Sequence, residues 1–458
     1  MPANRSGQTQ TLIGGPICGA VTESSAGIRA SVRNSVKNAR LLLSASSDLS
    51  RPRIFEQNGR WHDLEMEYEH DIVTFQLTGL AADTRYYYGV QLDDNIDGPA
   101  RGSFLTFPEQ GVRANFSFAF GACSDGDNPA ALDAIGDDPR VLFFFHVGDL
   151  HYRNPKKASV AKRLNYYDAA VMRSGLSALM KRMPFAYTWD DHDFFLDDTG
   201  GDSNSDARQA RAYAREAYDI FFPHYAFTNG PEQQGIYQSF QIGRILFVLT
   251  DLRFNQKWHQ DTDNDTKAVL GDEQFAWLES HFQHAADYDL IVMTSSFPWI
   301  GDDPPSHHGN WIEYKTARRK LANLIKEMNV ANLSMIGGDA HMLAIDDGSH
   351  SGYAEVAGQV GKGGFPVFIA GPLDNRGSQK GGPYSHGKES RTGGSLGDGV
   401  TRTGLFSSNR QFGLCEIAYP STTDPPIVKW SGWRAESGVK ERKIWYEFRG
   451  VETAPGHF

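Results

Sequence analysis

The chain has 458 residues, 40% of them hydrophobic and 12% aromatic, which excludes a disordered polypeptide and is too long for one ordinary core. Its formal net charge of −11 excludes non-specific binding to nucleic acid or anionic membrane, since both need a basic face. Cys18, Cys123 and Cys415 are its only cysteines, too few and odd in number for a disulfide framework.

The opening residues 1–16 are polar and show no charged-then-apolar export pattern, so the chain reads as cytoplasmic or as an exported form whose signal has been removed. The longest apolar stretch, 141–145, is strand-sized, and no membrane insertion is expected. Residues 15–108 read as a small all-β domain. Segments 28–32, 39–45, 72–77 and 86–92 alternate in polarity with period two, as half-buried antiparallel strands do. The turn at 77–80 followed by Thr84-Arg85-Tyr86 suggests the tyrosine corner of an immunoglobulin- or fibronectin-like sandwich. Residues 103–108 would be its last strand and 109–113 a linker.

From residue 114 the pattern changes. Apolar strands at 116–121, 141–147, 185–189, 245–250, 290–294, 333–336 and 366–369 end in small or acidic residues. Helical stretches at 161–183, 205–222, 272–286 and 314–328 lie between several of them. Such alternation predicts a layered α/β sandwich over 114–450, with ligand groups at the carboxyl ends of its strands. The Gly- and Ser-rich segment 374–406 reads as a long mobile loop over that end.

The chemistry-bearing residues recur where apolar strands stop. Cys123 follows the first; Gly148-Asp149 and Tyr152 follow the second. Asp190-Asp191-His192-Asp193 follow Trp189, Asp251 and Arg253 follow the fourth, and Gly338-Asp339 and His341 end the series. Taken singly, each has an ordinary reading: Gly-Asp as a turn, Cys123 as a small buried hydrophobe, Tyr152 as a packed aromatic. Four adjacent ionisable residues after an apolar strand are harder to dismiss, because their desolvation must be compensated. Carboxylates suit hard cations, imidazole suits borderline ones, and a thiolate or phenolate suits a strongly Lewis-acidic ion. One carboxylate can bridge two metals at roughly the 3.5–4 Å spacing of two-metal phosphatases. The region of His307, His308, Trp311 and Tyr314 reads equally as surface loop and as substrate contact.

In this order the motifs resemble the PhoD-type alkaline phosphatase and phosphodiesterase family, within the calcineurin-like metallophosphoesterases. Gly15-Pro16-x-Cys18-Gly19, Thr84-x-Tyr86-Tyr87-Tyr88, Leu270-Gly271-x-x-Gln274 and Trp311-x-x-Tyr314-x-x-x-Arg318 extend the resemblance over nearly the whole chain. It implies a hydrolase of small phosphomonoesters or phosphodiesters acting by in-line attack of a metal-bound hydroxide. The implied cofactors are ferric iron and calcium, with another divalent ion possible at the second site. The implied metal ligands are Cys123, Asp149, Tyr152, Asp190, Asp191, Asp339 and His341, with Asp149 bridging. The resemblance gives His192 and Arg253 catalytic and substrate-binding roles, His192 toward the leaving oxygen and Arg253 on the phosphoryl oxygens.

The chain departs from the wider superfamily in two places and from relatives within the family in a third. Asp339 replaces the first histidine of Gly-His-x-His, Ser295-Ser296 stand where a metal-binding histidine is usual, and Asp197-Asp198 replace Asn-Asp. More carboxylates and fewer imidazoles shift the second site toward calcium. Two rival readings are a phospholipase D-like diesterase using the same site, and a binding protein whose metals are structural.

Overall fold

Two four-stranded antiparallel sheets are built from the first part of the chain, and two six-stranded sheets follow. The computed structural model describes residues 12–449 apart from 63–66, 94–99, 157–158, 302–307, 357–358, 361–363, 379–381, 386–408 and 437. The early strands are β1 (Leu12–Gly19), β2 (Ser25–Arg33), β3 (Ala39–Ser44), β4 (Arg53–Glu56), β5 (Gly59–His62), β6 (His70–Thr78), β7 (Arg85–Leu92) and β8 (Arg101–Leu105). They form sheets ordered β1-β2-β6-β5 and β4-β3-β7-β8. Ile28, Ala30 and Val32 from one sheet and Leu41, Leu43, Val90 and Phe104 from the other share one apolar cluster. The Tyr86 hydroxyl accepts the Ala81 N–H at 3.0 Å, closing the expected corner.

The second part uses β9 (Phe116–Gly121), β10 (Val141–Val147), β11 (Phe185–Thr188), β12 (Gln238–Ile242), β13 (Ile245–Leu249), β14 (Leu290–Ser295), β15 (Leu333–Gly337), β16 (Ala344–Asp346), β17 (Glu355–Val356), β18 (Gln359–Val360), β19 (Val367–Ile369), β20 (Gln411–Ala418), β21 (Ile427–Glu436) and β22 (Val439–Arg449). The large sheets run β11-β10-β9-β20-β21-β22 and β12-β13-β14-β15-β19-β16. Within them, β9, β10 and β11 are parallel, as are β13, β14, β15 and β19. Every residue of β9, β10, β13, β14 and β15 is buried. That is the consequence of covering a parallel sheet on both faces.

The two large sheets meet through Phe118, Phe143, Phe240 and Phe247, with ring centroids 4.7–5.7 Å apart. Burying each such side chain contributes roughly 1.5–3 kcal/mol. Helices α1 (Ala130–Gly136), α2 (Val160–Val171), α3 (Ser174–Met180), α4 (Asp191–Phe194) and α5 (Ser205–Phe221) contribute to the core outside the first sheet. Helices α6 (Asp272–Phe282) and α7 (Lys315–Glu327) cover the second. The result is a mixed α/β fold in layers. Phe107, in the stretch before the linker, lies 5.7 Å from Phe143 and 6.0 Å from Phe240, so the apolar core is continuous with that of the early sheets.

Two expectations need correction. The helix anticipated over 161–183 is two helices, because Arg173 leaves the helical region (φ −58°, ψ 140°) and turns its guanidinium to the Ser124 carbonyl at 2.7 Å. Strands β20–β22 were not foreseen, yet β20 lies directly beside β9. Of the anticipated loop 374–406, residues 379–381 and 386–406 fall outside the described residues, as does the expected end at 450.

Candidate active site

Parallel strands deliver their carboxyl ends to one edge of each large sheet, and the residues after them meet there. β9 leads to Cys123, β10 to Asp149 and Tyr152, β11 to Asp190 through His192, β14 to Ser296, and β15 to Asp339 and His341. Cys123, Asp149, Asp339 and His341 all hold left-handed backbone, with φ of 63°, 58°, 57° and 53°. This conformation costs a non-glycine residue about 1–2 kcal/mol. Its repetition at four donor residues is the kind of strain that clusters at functional sites.

Two glycines let the loops converge. Gly148 has φ +107°, and a Cβ there would stand 2.6 Å from the Asp190 Cβ. A Cβ on Gly338 would stand 2.5 Å from the Ala122 Cβ and 2.8 Å from the Val147 carbonyl oxygen.

Three overlapping sets of donor atoms result, each set lying within 4.8 Å: Cys123, Asp149 and His341; Asp149, Asp191 and His192; Asp149, Asp190 and Asp339. Asp149 belongs to all three. Its Oδ2 is 3.6 Å from the Cys123 Sγ, and the Tyr152 hydroxyl is 3.0 Å from His341 Nε2. His341 Nδ1 donates to the Arg376 carbonyl at 2.6 Å, which fixes the tautomer and leaves Nε2 as an acceptor or ligand. Every sequence-predicted site residue thus lies in or against this cluster.

The electrostatics are strained without cations. Burial, with the charge of Asp191, pushes the Asp149 carboxyl well above its usual range. Burial pushes Asp190 up to about 7 although Arg253 pulls it down. Burial, then Asp149, raises the Tyr152 hydroxyl. For His192, burial favours the neutral ring, but Asp149, Asp197 and Asp191 outweigh it and hold the imidazole up to about 10. Asp149 Oδ1 and Asp190 Oδ2 are buried without a hydrogen-bond partner among the described residues. Orphaned carboxylate oxygens are costly in this environment, and a bound cation removes that cost while reversing the local field. The donor set fits metal ions on these grounds.

Arg253 is placed differently from expectation. It is fully buried; its Nε is ion-paired with Asp190 Oδ1, Nη1 meets Gln256 Oε1 at 3.0 Å, and Nη2 lies 3.8 Å from Asp191 Oδ2. The guanidinium meets both carboxylates and lies over the Phe297 ring at 4.8 Å. Asp251 is scaffold, accepting from the Trp189 indole at 2.8 Å and from the Arg253 and Phe254 amides at 2.9 and 3.0 Å. Asp193, in the first turn of α4, accepts the Asp190 N–H at 3.1 Å and the His151 N–H at 3.0 Å.

Asn154 was not singled out from sequence, and Asp197 and Ser296 were noted only as departures from the expected motifs. Asn154 Oδ1 holds His192 Nδ1 at 2.8 Å, and Asp197 holds its Nε2 at 3.2 Å. Ser296 Oγ donates to Asp190 Oδ1 at 2.7 Å, occupying the place considered for a missing histidine. The only sequence signal for Asn154 is that it precedes Pro155, in a turn that gives it φ 49°. Of the ambiguous segment, Trp311 and Tyr314 are buried, His308 is exposed, and His307 lies outside the described residues.

A solved structure described as that of PhoD matches with TM-score 0.70 at 15% identity, covering 96% of this chain and 90% of that one; this establishes the shared fold. Alkaline phosphatase D of Bacillus subtilis (strain 168) is 23% identical over 313 residues, 59% of this chain and 53% of the relative. The chain therefore spans about half the length of that curated relative. The family model of the PhoD-like phosphatases matches residues 130–419, well over half of the sequence and inclusive of every donor of the cluster except Cys123, and the chain belongs to the PhoD-like phosphatase family.

Proposed function

We propose that this protein is a metal-dependent hydrolase of small phosphate esters, monoesters or diesters, working at the Asp149 cluster. The observation that carries the reading is Asp149 itself, shared by three donor sets and buried with an orphaned oxygen, which is what a bridging carboxylate requires. In this reading Cys123, Asp149 and Tyr152 hold ferric iron, with His341 completing a metal sphere. Asp190, Asp191 and Asp339, with Asp149, hold calcium or another oxygen-preferring ion. When bound, the ions supply Lewis-acid charge that activates water and stabilises the charge building on the phosphoryl oxygens.

The chain's own residues do the rest. His192 stacks on Tyr152, with ring centroids 4.1 Å apart, and is held through both nitrogens by Asn154 and Asp197. We assign it proton delivery to the leaving oxygen. Arg253 acts as a positioning residue, fixing Asp190 and Asp191. Residues 15–108 form an immunoglobulin- or fibronectin-like sandwich domain and 114–450 the catalytic domain; the two antiparallel sheets and the Tyr86 corner support this division.

Metal-loaded wild type and His192→Asn, assayed on p-nitrophenyl phosphate and bis(p-nitrophenyl) phosphate, test the reading. Wild type is expected to release nitrophenol from at least one ester, and the variant to be slower by about 10²–10⁴-fold. Absence of turnover on both esters by fully metallated wild type would overturn it. The ratio of the two rates separates a monoesterase from a diesterase.

A further inference from the structure

A second group of donors lies away from the Asp149 cluster, on residues to which no role has been given. One ring nitrogen of His259, one of His308 and a carboxylate oxygen of Glu313 lie within 4.8 Å of one another. His259 is 7% exposed. Its Nδ1 donates to the Asp198 carbonyl at 3.2 Å, and its Nε2 is buried without a hydrogen-bond partner among the described residues. A backbone carbonyl on one imidazole nitrogen and a bare lone pair on the other is the arrangement that prepares histidine to ligate a metal.

The other two donors are also held. Glu313 Oε2 accepts the Gly309 N–H at 2.8 Å, and Oε1 meets His308 Nδ1 at 2.6 Å. The His259 and His308 rings are stacked with centroids 4.5 Å apart. Lys267 Nζ donates to the His259 carbonyl at 2.6 Å and to the Glu313 carbonyl at 2.8 Å, tying together the two segments that carry the donors. Its charge disfavours a purely ionic site. Two imidazoles and one carboxylate suit a borderline transition ion and not calcium.

We infer that His259, His308 and Glu313 form a separate site for a divalent transition ion of the zinc class. Three protein donors leave a coordination position for water. The ion would pin the segment 308–313 to the Asp198 loop. Through the Asp198 N–H, which donates to Asp191 Oδ2 at 2.5 Å, that loop reaches the Asp149 cluster, so the second ion stands as a clamp at the rim of the first site.

The full chain, wild type and His308→Ala, would be equilibrated with zinc salt, freed of excess by gel filtration and analysed for zinc, iron and calcium. His308 is exposed, with 54% of its side chain accessible, so its truncation leaves the fold intact. Wild type should retain one more equivalent of zinc than the variant, with iron and calcium contents equal in the two. Zinc should also raise the melting temperature of wild type more than that of the variant. His259→Asn, which keeps a donor toward the Asp198 carbonyl, should lose the same equivalent. Equal zinc retention in wild type and His308→Ala would overturn the inference, as would loss of iron or calcium from the variant in step with zinc.

Discussion

Replacing Arg253 by Met removes a guanidinium that meets both Asp190 and Asp191 while filling most of the same volume. All three residues are buried. Breaking a buried ion pair from one side costs roughly 3–5 kcal/mol, because a charge is left uncompensated. The carboxyls limit that cost by taking up protons. Asp190 already stands near pKa 7 with Arg253 present, and without it the value rises further. A carboxyl whose folded pKa lies above its unfolded value loses stability as pH rises. The variant's deficit should therefore grow between about pH 6 and pH 8. For a chain of 458 residues, the specific unfolding entropy of about 2.1 cal/mol/K per residue converts 3–5 kcal/mol into a fall in Tm on the order of 3–5 °C. Cations bound by the same carboxylates replace the lost charge, so the deficit should be largest in chelator-treated protein and shrink on metal loading. Calorimetry of both proteins, with and without metal at pH 6 and 8, checks this. A metal-free variant melting within about 1 °C of wild type at both pH values would refute the positioning role and the electrostatic reasoning behind it.

Gly148→Ala should destabilise by roughly 2–5 kcal/mol in urea denaturation, combining a left-handed backbone penalty with overlap on Asp190; a smaller loss would mean that the loop relaxes freely. Tyr152→Phe should remove the tyrosinate ring modes from the resonance Raman spectrum of the iron-loaded protein while far-ultraviolet circular dichroism stays unchanged; persistence of those modes would assign the iron elsewhere. Asp138 is held well below the usual carboxylate range by Arg140, with Lys440 adding to it. The stability that Asp138 contributes should be present at neutral pH and lost as the medium falls below about pH 4. Asp138→Asn should therefore unfold more readily than wild type at pH 7 and converge with it in acid.

Much of the scaffold was legible because parallel strands buried on both faces leave apolar runs that admit few other readings; β10 and β13–β15 are of this kind. The alternating strands of the early sheets and the Tyr86 corner were legible for a related reason, since half-buried strands alternate. Helix 161–183 was over-extended because its apolar spacing continues through Arg173, and only the tertiary bond to Ser124 shows why the chain turns there. β22 escaped notice because it is an exposed edge strand carrying Lys440, Glu441, Arg442 and Lys443, whose charge hides the pattern. The donor residues announced themselves by position at strand ends. Arg253 did not reveal its placement, since its partners lie 62 and 63 residues away in sequence. The grouping of His259 with His308 and Glu313 likewise depends on chain reversals that local pattern does not encode.

The central claim is that one carboxylate is shared by the metals of the site. Elemental analysis of wild type and Asp149→Asn, purified and metal-loaded side by side, tests it most directly. A bridging Asp149 predicts that the variant loses iron and calcium together, with circular dichroism unchanged. Retention of either metal at the wild-type level would contradict the account.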